Sequence, residues 1–231
     1  MYVYGVAPSG AAVSTRGIGD APVSVVEHGE LAAIVSRVDA KVRAKRRDLL
    51  RHSDVLQTAF AGGPVIPLRF GTVFASEGAV VDELLASRYE ELVALLQQLE
   101  TLAELRVRAT FDEQALLAEV VRDDRRVAAL RAGGASQMEL GEAVAHAVAA
   151  RREAGAGAIV QALGAAALDV RVDEPREEWE VVRASFLVER SRVKTVEREA
   201  AAVAEREGRR MTIELIGPMP PHSFVSLEGG A

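Results

Sequence analysis

The 231-residue chain carries 34 acidic and 28 basic residues, which gives a formal net charge of −6, and 49% of its residues are hydrophobic, as in an ordinary folded protein. The negative net charge argues against nucleic-acid binding, because nucleic-acid binders normally present a basic domain. The absence of cysteine excludes disulfides, thiolate nucleophiles and cysteine-ligated metals.

The chain begins with a pattern that predicts three strands. Residues 1–6 alternate bulky and small side chains, as in a strand. Two apolar runs follow over residues 23–27 and 31–36, and His28 and Gly29 lie between them. Because glycine can take the positive φ that a tight hairpin turn needs, these two runs predict a β-hairpin.

Two helices and two further strands follow. Residues 45–60 place apolar side chains on one helical face. Residues 65–74 are strand-like but contain Pro67, which cannot donate a ladder hydrogen bond and therefore predicts an edge strand or a bulge. Residues 76–99 carry a continuous apolar stripe that predicts a helix, and residues 105–111 alternate apolar and polar side chains as in a half-buried strand.

The order of these elements predicts an α+β protein of two domains. A β, ββ, α, β, α, β order resembles a ferredoxin-like α/β sandwich with an extra hairpin strand, which we assign to residues 1–111. Residues 112–231 predict a helix-rich α+β domain that ends in a Pro-rich tail at residues 217–225. The predicted elements of this domain are helices over 112–131 and 136–163, strands over 168–173 and 182–188, a helix over 193–203 and a strand over 211–216.

The sequence shows no pattern typical of a catalytic, cofactor or metal site. The histidines at positions 28, 52, 146 and 222 are far apart, and no metalloprotease, nucleophile-elbow or phosphate-loop motif occurs. The chain has no basic and apolar leader at its start and no run of about 18 apolar residues. We therefore expect no catalytic residue, no cofactor and no metal, in a soluble cytoplasmic protein without membrane contact.

Two polar side chains leave alternatives open. For His52, on the apolar side of its helix, a buried and hydrogen-bonded ring is favoured over an acid/base role. Arg69 lies among Pro67, Phe70 and Gly71, where it either pairs with a carboxylate of the same chain or recognises a partner. An enzyme or small-molecule-binding module that uses His52 and Arg69 is the alternative function.

A basic run precedes and enters the first predicted helix. Its cations are Lys41, Arg43, Lys45, Arg46, Arg47 and Arg51. A solvated face or a contact for an acidic partner is favoured over a phosphate-binding groove. Nucleic-acid binding through this run therefore ranks last among the functions considered.

Several sequence blocks, spread from Tyr2 to Val225, carry a resemblance to a known family. They are YVYGV, HGELAAIVS, RHSDVL, VIPLRFGTVF, ASFLVER and GPMPPHSFV. Together they resemble the gas vesicle protein F/L family, and VIPLRFGT and the terminal GPMPPHSFV are the most specific of them. His222 stands where the family usually has a tyrosine.

The resemblance implies a non-catalytic accessory or assembly protein of gas vesicles. Such a protein would bind the small hydrophobic shell protein GvpA, and possibly other gas vesicle accessory proteins, prevent aggregation of the shell protein and help to nucleate vesicles. We expect the contact to use the irregular strand and the tail, by helix-in-groove or edge-strand docking. The candidate contact residues are Pro67, Arg69, Phe70, Gly71, Pro218, Pro220, Pro221 and Phe224. The rival role of these residues is intramolecular, with the tail closing a cleft between the domains.

Overall fold

The computed structural model describes residues 1–38 and 44–225, which divide into two compact units. Unit 1 comprises residues 1–104 together with the chain from Pro218, and unit 2 comprises residues 105–217. Unit 1 is therefore built from two separate pieces of sequence. Lys41 and Arg43 of the basic run lie outside the described residues.

Unit 1 is an antiparallel sheet with helices packed against it. Its strands are β1 (Tyr2–Pro8), β2 (Val23–His28), β3 (Leu31–Ser36) and β4 (Ile66–Pro67), in the order β2-β3-β1-β4. Its helices are α1 (Arg46–Gly62), α2 (Glu77–Ala79), which continues into a π-helical turn at Val80–Ala86, and α3 (Tyr89–Leu99). The expected hairpin strand β2 extends the sheet at one edge.

The central strands β1 and β3 are buried on both faces. One face packs against α3 and the π-helical turn through a core that includes Val3, Val6, Leu31, Ala33, Val35, Leu85, Leu92 and Leu96. The other face meets α1 through Tyr2 and Tyr4. The register of β1 shifts between Val3 and Gly5. A Cβ at Gly5 would lie 2.6 Å from the Ile66 carbonyl oxygen, so this close approach of backbones requires glycine.

Unit 2 holds a second antiparallel sheet and four helices. Its elements are β5 (Leu102–Phe111), α4 (Glu113–Asp123), α5 (Arg125–Ala132), α6 (Gln137–Gly164), β6 (Asp169–Asp173), β7 (Glu180–Glu189), α7 (Val193–Glu207) and β8 (Met211–Met219). The strand order is β6-β7-β5-β8. The long helix α6 packs against β7, α4, α5 and α7. Mixed helices and antiparallel sheets confirm the expected α+β class.

The structure differs from the sequence-based expectation in four places. The helix predicted over 76–99 is divided into α2 with its π-helical turn and α3. The strand predicted at residues 105–111 is β5, and it lies between β7 and β8 rather than in the first sheet. The tail, expected with the second domain, lies in unit 1. The helix predicted over 112–131 is interrupted at Asp124, whose extended backbone (ψ 116°) ends α4 and whose side chain caps α5.

Candidate functional site

Residues 66–74, called the edge segment below, lie along β1 at the outer side of the first sheet. Pro67 pairs with Gly5 in the short strand β4, where its missing N–H costs nothing because no strand of the described sheet lies beyond it. Farther along, the Val3 N–H donates to the Thr72 carbonyl at 3.0 Å. Between these two points the segment leaves the ladder, as the sequence predicted for an irregular strand.

The interruption is a tight turn that places side chains in solvent. The backbone N–H and the hydroxyl of Thr72 both donate to the Arg69 carbonyl, at 3.3 and 2.8 Å. Gly71 has a φ of +95°, which glycine adopts without strain. As a result Arg69 and Gly71 are exposed, Phe70 is half-buried, and the apolar side chain of Val73 is 56% exposed.

A buried hydrogen-bond chain holds this turn from below. The Gly71 N–H donates to the Tyr2 hydroxyl at 3.1 Å, and the Tyr2 hydroxyl lies 2.8 Å from Nδ1 of His52. On the other side of the ring, Nε2 lies 3.2 Å from the Leu68 carbonyl oxygen. Because a carbonyl can only accept, Nε2 carries the proton, and Nδ1 accepts the hydroxyl proton of Tyr2. The Phe70 ring packs edge-on 5.7 Å from the His52 ring.

The burial of this chain keeps both of its titratable groups neutral. Burial lowers the pKa of His52 from 6.5 to about 4, against the opposing effect of the hydrogen bond to Leu68, and the charge of His222 lowers it further. Burial likewise raises the pKa of Tyr2 well above its ordinary value, although the hydrogen bond from Gly71 works in the opposite direction. His52 is thus a fixed neutral donor and acceptor at neutral pH, and its geometry sets the position of the edge segment.

The tail is anchored within unit 1 by hydrogen bonds. The Ser223 N–H donates to Oε2 of Glu104 at 2.7 Å, and the Ser223 hydroxyl donates to Oε1 at 2.8 Å. Glu104 has no exposed surface. At the start of the tail, the Gln57 side-chain amide of α1 donates to the Pro218 carbonyl at 2.8 Å. These contacts hold the tail against other residues of unit 1.

The eight candidate contact residues differ in their accessibility. Pro67, Pro220 and Pro221 are buried, Phe70, Pro218 and Phe224 are half-buried, and Arg69 and Gly71 are exposed. Among the described residues, no carboxylate pairs with the Arg69 guanidinium, so the intramolecular ion pair considered for it is absent. The exposed members of the candidate set therefore lie in the edge segment.

The enzymatic alternative required His52 and Arg69 to face one polar pocket. His52 is only 6% exposed, and protein groups occupy both of its ring nitrogens, whereas Arg69 lies in solvent. The two side chains therefore do not form such a pocket. Within residues 1–38 and 44–225, no three His, Asp or Glu side chains are placed to hold a metal ion.

No helix in the described part of the chain combines the length and the apolarity needed to cross a bilayer.

Tyr2, Glu104 and Ser223 were not among the residues predicted for this site. A signal existed for Tyr2, since a tyrosine in an otherwise apolar strand needs a hydrogen-bond partner for its hydroxyl when it is buried. No local signal marks Glu104, because a glutamate that precedes an alternating strand has the same sequence pattern whether it is exposed or buried.

Comparison with known proteins gives consistent matches over almost the whole chain. The family model for "Gas vesicle synthesis protein GvpL/GvpF" matches residues 1–226. Gas vesicle protein F of Streptomyces sp. (strain CB03234) is 38% identical, over 97% of this chain and 98% of that protein. Gas vesicle protein L2 of Halobacterium salinarum is 28% identical, over 94% of this chain and 86% of that protein.

Two crystal structures share the fold. The gas vesicle protein GvpF from Anabaena sp. PCC7120 superposes with a TM-score of 0.82 at 21% identity, over 100% of this chain and 97% of that one. GvpF from Microcystis aeruginosa gives a TM-score of 0.79 at 23% identity, over 98% of both chains. At these identities the likeness concerns the fold alone.

Proposed function

We propose that this chain, which belongs to the GvpL/GvpF family of gas vesicle synthesis proteins, is a non-catalytic assembly protein that binds the hydrophobic shell protein GvpA. In this role it prevents aggregation of the shell protein in the cytoplasm and helps to nucleate the vesicle. The edge segment is the contact surface, and Arg69, Phe70, Gly71 and Val73 are its contact residues.

The observation that carries this proposal is that the edge segment lies at an open edge of the sheet and is held in place by buried hydrogen bonds. The outer side of the edge segment has no neighbouring strand in the described sheet, and such an edge is available for pairing with another chain. The hydrogen-bond chain through Tyr2 and His52 fixes the turn from below. A surface that is already ordered loses less conformational entropy on binding, which favours affinity.

The side chains of the edge segment suit a partner with apolar surface and backbone groups to pair. Val73 and the half-buried ring of Phe70 offer apolar area, and Arg69 offers five donors without a partner in the described chain. A shell subunit with an exposed apolar face would aggregate before assembly. Binding at the edge segment would cover that apolar face and so keep the shell protein from aggregating, which is the proposed protective role.

The test is co-expression of the full chain with the cognate shell protein, followed by pull-down and size exclusion. Arg69→Ala and Val73→Ser should each weaken the complex about 10-fold, as expected when an interface loses a principal contact. The matched controls are Arg131→Ala, at another exposed arginine, and Val172→Ser, at a valine that is 58% exposed in unit 2. Both controls should bind as the wild type does.

Thermal unfolding separates loss of contact from loss of structure. Arg69 and Val73 are exposed, so their variants should unfold at the wild-type temperature. If the wild-type chain forms no complex with soluble shell protein, the proposed function is wrong. If the controls weaken binding as much as the edge variants do, the assignment of the surface is wrong.

A further inference from the structure

The first two turns of α1 carry a second unusual surface, called the α1 patch below and made of Lys45, Arg46, Arg47, Leu49, Leu50 and Arg51. All six residues are exposed, and the two leucines are 44% and 56% exposed. The chain as a whole has a net charge of −6, so this local concentration of cations runs against the general charge of the molecule.

The cations of the α1 patch lie where a helix tolerates them least. The N-terminal end of a helix carries a partial positive charge, which favours acidic side chains and disfavours basic ones. Lys45 occupies the N-cap position and provides no side-chain cap. The carboxylate in this turn, Asp48, is largely buried, and its closest approach to a cation is 3.5 Å, from Nε of Arg47.

The leucines of the α1 patch add a second unfavourable feature at the same place. Single exposed apolar residues are common on protein surfaces. Leu49 and Leu50, however, are adjacent and lie among the exposed cations at the start of α1, where burial against another molecule would remove both unfavourable features together. Residues that lower local stability are typical of functional sites, and here two such features, the cations and the exposed leucines, occur at the same place.

We propose that the α1 patch docks an acidic amphipathic segment of a partner protein. Carboxylates of that segment pair with Arg46, Arg47 and Arg51 and oppose the positive end of α1, and its aliphatic side chains cover Leu49 and Leu50. The phosphates of a nucleic acid would pair with the cations but would not cover Leu49 and Leu50, so a nucleic acid fits this patch less well than an acidic amphipathic segment. An anionic bilayer would be repelled by the rest of the molecule, and the exposed face of α1 offers no aromatic anchor.

This surface does not include the edge segment, and the inference does not depend on binding of the shell protein. The probe is a synthetic, fluorophore-labelled helical peptide that carries glutamate and leucine on one face at i, i+3 and i+4 spacing. Fluorescence anisotropy measures its affinity for the full chain. Two matched peptides replace either the glutamates by glutamine or the leucines by serine, and each should bind about 10-fold more weakly.

The protein variants come with matched controls in unit 2. The double change Arg46→Gln with Arg47→Gln is compared with Arg125→Gln and Arg126→Gln, which lie exposed in the first turn of α5. Leu50→Ser is compared with Leu168→Ser, at a leucine that is 61% exposed. We expect the α1 changes to weaken peptide binding about 10-fold and the controls to change it less than about 2-fold.

Thermal unfolding gives an independent readout. Removal of two cations from the positive end of α1 should leave the melting temperature unchanged or raise it, so a loss of binding would not reflect misfolding. The inference is overturned if the peptide does not bind, if its binding is insensitive to the α1 changes, or if a single-stranded oligonucleotide or vesicles of anionic lipid bind the α1 patch more tightly than the peptide does.

Discussion

His52 makes the stability of unit 1 depend on pH, and the effect can be calculated from its environment. Its pKa is about 4 in the folded chain and 6.5 when unperturbed. Between these two pH values the unfolded chain therefore binds a proton at His52 and the folded chain does not. The stability contributed by the neutral ring is therefore fully present above pH 6.5 and is lost as the pH falls towards 4. The linkage relation gives a loss of about 2 kcal/mol at pH 5 and about 3 kcal/mol at pH 4.

The substitution His52→Gln isolates this contribution. A glutamine oxygen can accept from Tyr2 and its amide can donate to Leu68, but the side chain does not titrate. The free energy of unfolding is measured by urea denaturation of both proteins from pH 7.5 to pH 4. Other carboxyl groups titrate in both proteins, so the difference between the two profiles reports His52.

The difference profile should decline by about 3 kcal/mol towards pH 4. The control His146→Gln removes an exposed histidine from α6 and should leave the acid-induced loss due to His52 in place. A flat difference between wild type and His52→Gln would mean that the buried ring accepts a proton as easily as it does in water. The hydrogen-bond assignment beneath the edge segment would then be refuted.

Two further predictions concern the tail and α6. Ser223→Ala removes the hydroxyl that donates to the buried Glu104 and should lower the free energy of unfolding in urea by about 1 to 2 kcal/mol, whereas Ser53→Ala at an exposed position of α1 should change it little. Gly157→Ala should raise the melting temperature, with a gain of up to about 1 kcal/mol, because open space surrounds a Cβ there and alanine favours the helix. Gly155→Ala should give no such gain, because its Cβ would lie 3.2 Å from two core side chains; equal gains at both positions would contradict the packing described for α6.

Features that depend on neighbouring residues could be predicted from the sequence. The hairpin between β2 and β3 forms as expected, with Gly29 at a φ of +58° in its turn. The helix predicted from residue 136 begins there as α6, with a capping box of reciprocal hydrogen bonds between Ser136 and Glu139. Each of these depends on residues within a few positions of one another, where turn and capping rules apply directly.

Features that depend on distant residues could not be predicted in this way. The alternation in β5 specifies a half-buried strand, but it carries no information about the sheet that the strand joins. The partner of His52 is 50 residues away in Tyr2, and the partner of Glu104 is 119 residues away in Ser223. The exposure of Arg69 followed from this distant network, since its position depends on a turn that is held from below by α1.

The division of unit 1 into two pieces of sequence has a consequence for the order of synthesis. The strands and helices of unit 1 leave the ribosome first, but Ser223 follows Glu104 only after 119 further residues. Until then the side chain of Glu104 lacks the donors that the tail supplies in the finished fold. A nascent chain can therefore fold unit 2 while unit 1 is still incomplete, and Glu104 receives the hydrogen bonds of Ser223 only when translation has passed the tail.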